Sequence, residues 1–201
     1  MVEIISALAG HLHPGRYGVE RKGQGVVFRE ISGRDLVQVS WWPGTGPAVK
    51  AVLARELGFV IGEAKTRVSE SGQTTVLPVA PDRLWITAPL EKDLYARLSK
   101  TFAADQCVVT ELGQSRTVVR ISGPSTRDVL ARSFAIDLHP SVFPPGSFAS
   151  TSIHHAGAML HYVRDLGQEA VFDVYLMRTF AASLFEGLCG TAEGFGYTVE
   201  L

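Results

Sequence analysis

Alternating apolar and polar positions mark VVFRE (residues 26–30) and DLVQVSWW (residues 35–42) as strands separated by a Ser32-Gly33 turn, and PGTGP closes the second. The period then becomes helical. Val49, Val52, Leu53 and Leu57 recur at three- and four-residue steps, Pro47 suits a first helical position and Gly58 a stop. After the polar SESGQT stretch, TVLPVAPDRLWITAP holds two short strands around a Pro81-Asp82 turn, the second being Leu84 to Thr87. A helix over residues 91–102 puts Leu94, Leu98 and Phe102 on one face, with acidic residues in its first turn. CVVTEL and RTVVRIS follow as strands, the latter alternating Thr117, Val119 and Ile121 with Arg116, Val118 and Arg120. A helix starting at Pro124 buries Val129, Leu130 and Phe134, and FASTSIHH is extended after the LHPSVFPPG loop. A turn at Ala156-Gly157 leads into MLHYV and EAVFDVYLM, and a last helix carries Ala181, Leu184, Phe185 and Leu188 before Gly190.

From Leu84 onward the order is strand, helix, strand, strand, helix, strand, which is the ferredoxin-like βαββαβ arrangement. With the flanking elements it predicts an α+β architecture of interlocked antiparallel sheets with helices on one side. The chain reads as a single domain over 1–201. Within it, 1–22 is an irregular arm, 23–80 an N-terminal β-β-α part, and 81–201 the ferredoxin-like core with a C-terminal β-β-α part. There is no clean linker and no tandem repeat at solenoid periods.

Composition narrows the partners. Lys and Arg number 19 against 20 Asp and Glu, for a formal net charge of -1, so no global field draws the chain to nucleic acid or an acidic membrane. An apolar share of 46% with almost no net charge suits a chain whose surface is partly covered by another, and equally one with an apolar core and an ordinary surface. Two cysteines, Cys107 and Cys189, exclude a disulfide framework or a four-cysteine metal site. The start MVEIISALAGHLHPG lacks a basic head and a cleavage pattern, and no apolar run approaches spanning length, so a cytoplasmic location is expected.

The search for chemistry returns little. His139, His154, His155 and His161 fall in one stretch, but adjacent His154 and His155 would point to opposite faces of a strand, too few on one side for a metal. There is no G-x-S-x-G, neither cysteine lies beside a basic cluster, and GTGP and GFGY lack the remainder of a phosphate-binding motif. No catalytic, cofactor-binding or metal-ligating residue is nominated. Arg116 and Arg120 on one strand face and Trp41-Trp42 at a strand end are of the types enriched in interface hot spots, and with His139 they are the interface candidates.

The run QSRTVVRISGPSTRDVLARSFAIDLHPSVFPPGSFASTSIHH, followed by FDVYLMRTFAASLFEGL, resembles the gamma subunit of bacterial heterotetrameric sarcosine oxidase through the pattern S-R…R-I-S-G-P…R-x-V-L…D-L-H-P-x-x-F-P-P-G. PDRLWITAP, PGRYG and VSWWPG fit the same family. That family is similar in fold to the folate-binding aminomethyltransferase of the glycine cleavage system, whose competent members carry D-x-S about eleven residues ahead of the I-S-G-P glycine. Here that stretch reads Glu111-Leu112-Gly113-Gln114-Ser115, without the aspartate. The resemblance implies a non-catalytic structural or assembly subunit. Its partners would be alpha, beta and delta subunits that carry FAD, FMN, NAD, zinc and tetrahydrofolate, and the complex would oxidatively demethylate sarcosine. The alternatives are a related complex acting on another N-methylated amine such as dimethylglycine, or a free-standing folate-binding aminomethyltransferase-like protein.

Overall fold

Val26–Glu30 and Arg34–Trp41 do form strands across the Ser32-Gly33 turn, but they pair in different sheets, and this parting of neighbours sets the architecture. The computed structural model describes residues 5–19, 22–167 and 169–201. Residues 1–4, 20 and 21 of the predicted arm lie outside the described residues, as does Gln168. In chain order the elements are β1 (Gly15–Tyr17), β2 (Val26–Glu30), β3 (Arg34–Trp41), α1 (Gly46–Leu57), β4 (Ser69–Ser71), β5 (Thr74–Ala80), β6 (Arg83–Pro89), α2 (Leu94–Thr101) and β7 (Cys107–Glu111). They continue as β8 (Arg116–Ser122), α3 (Thr126–Ser133), β9 (Phe148–Ile153), β10 (Ala156–Leu166), β11 (Glu169–Met177), α4 (Ala181–Ala192) and β12 (Tyr197–Glu200). Two compact units result: Gly33–Gly113, and Met1–Ser32 together with Gln114–Leu201.

In the unit Gly33–Gly113 the sheet order is β4-β5-β6-β3-β7, antiparallel throughout. The path β3-α1-β5-β6-α2-β7 is therefore a βαββαβ unit with its first and third strands side by side, the ferredoxin-like topology. Helices α1 and α2 seal one face over a core that includes Val37, Val39, Val49, Leu53, Ile86, Leu94 and Leu98. Helix α1 follows its sequence signals. Pro47 lies in its first turn, and Gly58, in the left-handed region at φ 79°, returns its N–H to the Ala54 carbonyl. Helix α2 begins later than predicted: residues 90–92 form a short 3-10 turn, and Asp93 takes a left-handed conformation before Leu94. The first-turn acids thus precede the helix, and its free Leu94 N–H is accepted by Asp35 Oδ2 of β3 at 2.9 Å.

The other unit repeats the plan. Its path β8-α3-β10-β11-α4-β12 is again βαββαβ, in a sheet ordered β1-β12-β2-β8-β11-β10-β9, with β2 inserted between β12 and β8 and parallel to β12. The six-element series read from Leu84 onward is present, but β6 and β7 belong to one sheet while β8 and β9 belong to the other. Alternation identifies a strand without naming its partner, so the short Leu112–Ser115 connection resembles a hairpin although β7 bonds β3, and β8 bonds β11 and β2. The N-terminal segment is not wholly irregular: β1 pairs with β12, and Leu8 is fully buried in the core with Phe28, Ile121, Phe172 and Phe185.

Pro124 stands two residues ahead of α3 instead of starting it, and Ser125 precedes the first turn. The reason is Gly123, at φ 116°, where a Cβ would stand 2.8 Å from the Gly25 carbonyl oxygen. This close approach lets Ser125 donate its N–H to Gly25 O at 3.0 Å and accept the Gly25 N–H on Oγ at 3.1 Å, tying β2 to the end of β8. Helix α4 buries Ala181, Leu184, Phe185 and Leu188 as its sequence predicts and runs past Gly190 to Ala192. No helix among the described residues is long and apolar enough to cross a membrane.

Because Asp35 reaches the α2 terminus from another element, Asp35→Ala is expected to lower stability by about 1 kcal/mol in urea unfolding, while Asp35→Asn, which keeps an acceptor, retains most of it. An alanine variant as stable as the parent would show that this cap contributes nothing.

Candidate functional site

Polar chemistry on the seven-stranded sheet converges on one row. The register sets Arg29 opposite Arg120, Arg120 opposite Asp173, and Asp173 opposite His161, across β2, β8, β11 and β10. Alternation places the row on the sheet face away from the core residues Val119, Ile121, Phe172 and Leu160. Arg120 donates Nε to Asp173 Oδ1 at 2.7 Å and Nη2 to Oδ2 at 2.9 Å, a two-point fork. Asp173 is buried, and its hydrogen bonding holds the Arg120 guanidinium above the ordinary arginine value.

His161 is 2% exposed, and neither ring nitrogen has a hydrogen-bond partner among the described residues. Burial pushes its pKa down to about 4. Asp173 pulls the other way without overcoming it, and Arg120 adds to the depression. At neutral pH the ring is uncharged.

The interface candidates divide between the units. Trp41 packs, partly buried, on the α1/α2 core with the Lys50 ammonium 5.9 Å from its ring centre. Trp42 is 47% exposed and donates its indole N–H to the Ala104 carbonyl at 3.0 Å. Arg116 and Arg120 share a face of β8 as alternation predicts. Arg120 is committed to Asp173, whereas Arg116 donates to the Ser115 carbonyl at 3.0 Å, and burial lowers its pKa. His139 is exposed in its loop, with its ring nitrogen Nδ1 2.7 Å from Ser141 Oγ and its backbone N–H accepted by Asp137 Oδ1 at 2.8 Å. The Glu111–Ser115 stretch has an exposed Glu111, and Ser115 Oγ lies 3.4 Å from Arg116 Nη1.

The LHPSVFPPG loop is a constructed part of the frame. Arg127 of α3 donates to the Leu138 carbonyl and lies 4.6 Å over the Tyr162 ring, which stacks on Phe172 at 4.4 Å. Val142 and Phe143 both donate backbone N–H groups to the His139 carbonyl, and Gly146 N–H is accepted by Tyr162 O at 2.7 Å. Phe143 is buried against Phe172. Sequence spacing alone does not reveal this lock, because Arg127 and Tyr162 are brought together only by the packing of α3 on the sheet.

His154 and His155 are not strand residues. Ile153 pairs with Ala156, so the two histidines form the whole β9–β10 turn, at φ 46° and 69°. Positive φ at both central positions is the conformation that Asn-Gly usually supplies. Each turn residue lies along an open hollow of about 610 Å³ lined also by Phe180, Ser183, Leu184 and Gly187. A Cβ on Gly187 would stand 2.8 Å from His154 Nε2, so a side chain there would displace the exposed imidazole that lies over helix α4. Burial raises both cysteine thiols, Cys189 to about 11. Neither is a ready thiolate nucleophile at neutral pH.

Comparison with known proteins places this geometry. The model of the sarcosine oxidase gamma subunit family matches residues 43–192. The sarcosine oxidase gamma subunit of an Arthrobacter species is 30% identical over 163 residues, 78% of this chain and 79% of that protein. Its counterpart in Corynebacterium sp. strain P-1 is 28% identical over 168 residues, again 78% and 79%. In fold, the chain is similar to a chain of heterotetrameric sarcosine oxidase from Corynebacterium sp. U-96, with a TM-score of 0.77, 22% identity, and 89% and 88% of the two chains covered. It is also similar to aminomethyltransferase T of the glycine cleavage system from Bartonella henselae, with a TM-score of 0.59, 18% identity, and 92% of this chain but 48% of that one covered.

His161 makes stability pH-dependent with a definite sign. Its folded pKa, about 4, lies below the ordinary 6.5, so folding is favoured above pH 6.5 and that gain disappears as pH falls towards 4. The loss is expected to be roughly 3 kcal/mol on this group. His161→Phe should flatten the acid side of the urea-unfolding profile by that amount; a variant profile parallel to the parent's would refute the assignment. Arg120→Leu strands the buried Asp173 carboxylate and is expected to cost about 3–5 kcal/mol. In that variant the His161 imidazole resonance should titrate at a higher pH than in the parent, since the opposing cation is gone.

Proposed function

The chain belongs to the sarcosine oxidase gamma subunit family, and from that premise we propose that it is a non-catalytic structural and assembly subunit of a cytoplasmic heterotetrameric oxidase. The complex converts sarcosine, oxygen and water into glycine, hydrogen peroxide and formaldehyde, or delivers the methyl carbon to tetrahydrofolate as methylenetetrahydrofolate. Alpha, beta and delta subunits are its partners and carry FAD, FMN, NAD, zinc and the folate site.

One observation carries the non-catalytic part of this reading: several residues of the family-like motif are engaged in holding the frame. Within R-I-S-G-P…D-L-H-P…F-P-P-G, Arg120 is bound to Asp173, Gly123 admits the Gly25 backbone, Leu138 accepts from Arg127 on its carbonyl, and Phe143 fills the core. A catalytic motif would present such groups toward a substrate. Trp41, Trp42, Arg116, Arg120 and His139 remain the proposed contacts to the partner subunits, with exposed Trp42 and His139 the best placed of the five.

The fold likeness to aminomethyltransferase T favours a second reading, a free-standing folate-binding protein. The chain spans about half of that neighbour, and its Glu111–Ser115 stretch lacks the aspartate of the D-x-S motif. The N-methylated substrate is chosen on another chain, so dimethylglycine in place of sarcosine would leave the role of this chain unchanged.

Co-purification tests the proposal. A tagged chain expressed with the alpha, beta and delta chains of its own organism is expected to elute with yellow, flavin-bearing partners at the mass of a one-to-one assembly. A soluble, colourless monomer that ignores those chains and binds tetrahydrofolate would instead establish the free-standing reading.

A further inference from the structure

The outer edge of β7 is open. Trp42 N–H bonds Gln106 O and Leu112 N–H bonds Leu36 O at the two ends of the β3–β7 pairing. Antiparallel alternation then gives Val108 and Thr110 the bonds to β3, while Val109 and Glu111 direct their N–H and C=O groups outward. Among the described residues no strand pairs with β7 on that side.

The other sheet edges are guarded. Strand β4 is three residues long and reads Ser-Glu-Ser; β1 is also three residues long; β9 is closed at one end by a bridge between Ile153 and Phe134. Charge, brevity and covering are the usual protections against unwanted pairing. Strand β7 instead carries the β-branched run Val108-Val109-Thr110, with its one charge at Glu111. Val109 packs on the core, so Val108 lies on the opposite face, where it is 44% exposed, and Trp42 joins that face by the same alternation. An apolar pair therefore borders the unsatisfied backbone.

The repeated topology indicates what belongs there. Strands β7 and β12 each close a βαββαβ unit, and the outer edge of β12 already carries a short antiparallel strand, β1, whose Tyr17 stacks on Tyr197 at 5.1 Å. Among the described residues, the corresponding edge of β7 has no such strand. We propose that a partner subunit of the oxidase complex adds an extended segment to β7, antiparallel, with a large apolar side chain over Val108 and Trp42. This is recognition by strand addition, in which main-chain bonds give affinity and alternate side chains give specificity. The proposal rests on the reading of the chain as a subunit.

Hydrogen exchange on the assembled complex tests it directly. The outward amides of Val109 and Glu111 face no strand among the described residues, so strand addition is expected to slow them at least about 100-fold relative to unprotected exchange. Val108→Lys, at an exposed side chain, should weaken co-assembly at least about ten-fold, as should Val109→Pro, which removes an outward N–H. Glu70→Lys on the opposite edge should leave assembly unchanged. If the parent chain assembles while both amides exchange freely, or Val108→Lys assembles like the parent, the edge proposal fails and the subunit reading survives. Protection that arises only in a dimer of this chain names a second copy as the occupant and also overturns it. A parent chain that enters no complex overturns both.

Discussion

The Arg120–Asp173 pair governs the face of the seven-stranded sheet that α3 and α4 do not cover. A carboxylate as buried as Asp173 is tolerated only because both of its oxygens receive a guanidinium N–H, a geometry that offsets much of the desolvation cost. The row around it amplifies the dependence. Arg29 stands directly opposite Arg120, a like-charge pairing, though Arg29 is exposed and screened. A protonated His161 would add a third cation beside one carboxylate. The neutral imidazole is thus part of the same balance: with Arg120 spending its hydrogen bonds on Asp173, the carboxylate has too little pull left to charge a ring that burial disfavours.

Two copies of one topology, differing in their margins, give the chain its character. In each, a βαββαβ path places two helices against one sheet face, and the apolar spacing of those helices matches the residues buried. The difference lies in added strands. One unit gains β2 in the middle of its sheet and β1 at the edge, both from the N-terminal segment; the other ends at β7. The insertion of β2 depends on backbone contact at Gly25 and Gly123, which explains why the I-S-G-P run tolerates no side chain at that glycine.

Local signals were legible where the physics is local. Pro47 and Gly58 bracket α1, alternation sets Arg116 and Arg120 on one face of β8, and the apolar spacing of Ala181, Leu184, Phe185 and Leu188 predicts the buried side of α4. The α+β class and the ferredoxin-like unit were also readable. The phase of that unit was not: counting from Leu84 instead of Arg34 crosses from one sheet to the other, because strand identity is written in a single stretch and strand partnership is not. The same limit hid the site. Arg120 meets Asp173 across 53 positions and Asp35 caps a helix 59 positions away, and nothing in either local stretch announces the other. His154 and His155 misled for a different reason. A turn with two positive φ values is normally announced by Asn-Gly, and histidines flanked by strand residues read as strand.

These features bear on the frame role proposed for a chain similar in fold to aminomethyltransferase T. An active site keeps polar groups unsatisfied until a substrate arrives, whereas Arg120, Ser125 and Arg127 of the family-like motif are bonded to Asp173 or to the backbone of neighbouring elements. Among the described residues, Thr126 Oγ1 and both His161 ring nitrogens are buried without a hydrogen-bond partner, and the outer edge of β7 is unpaired. His161 is buried and neutral, held by its sheet. The backbone of the edge strand β7 is directed outward beside the exposed Val108 and Trp42, the edge proposed above to take a partner's strand. In the proposed role such a chain would contribute rigidity and an edge to its assembly, and the first follows from the same strand pairing that leaves the second exposed.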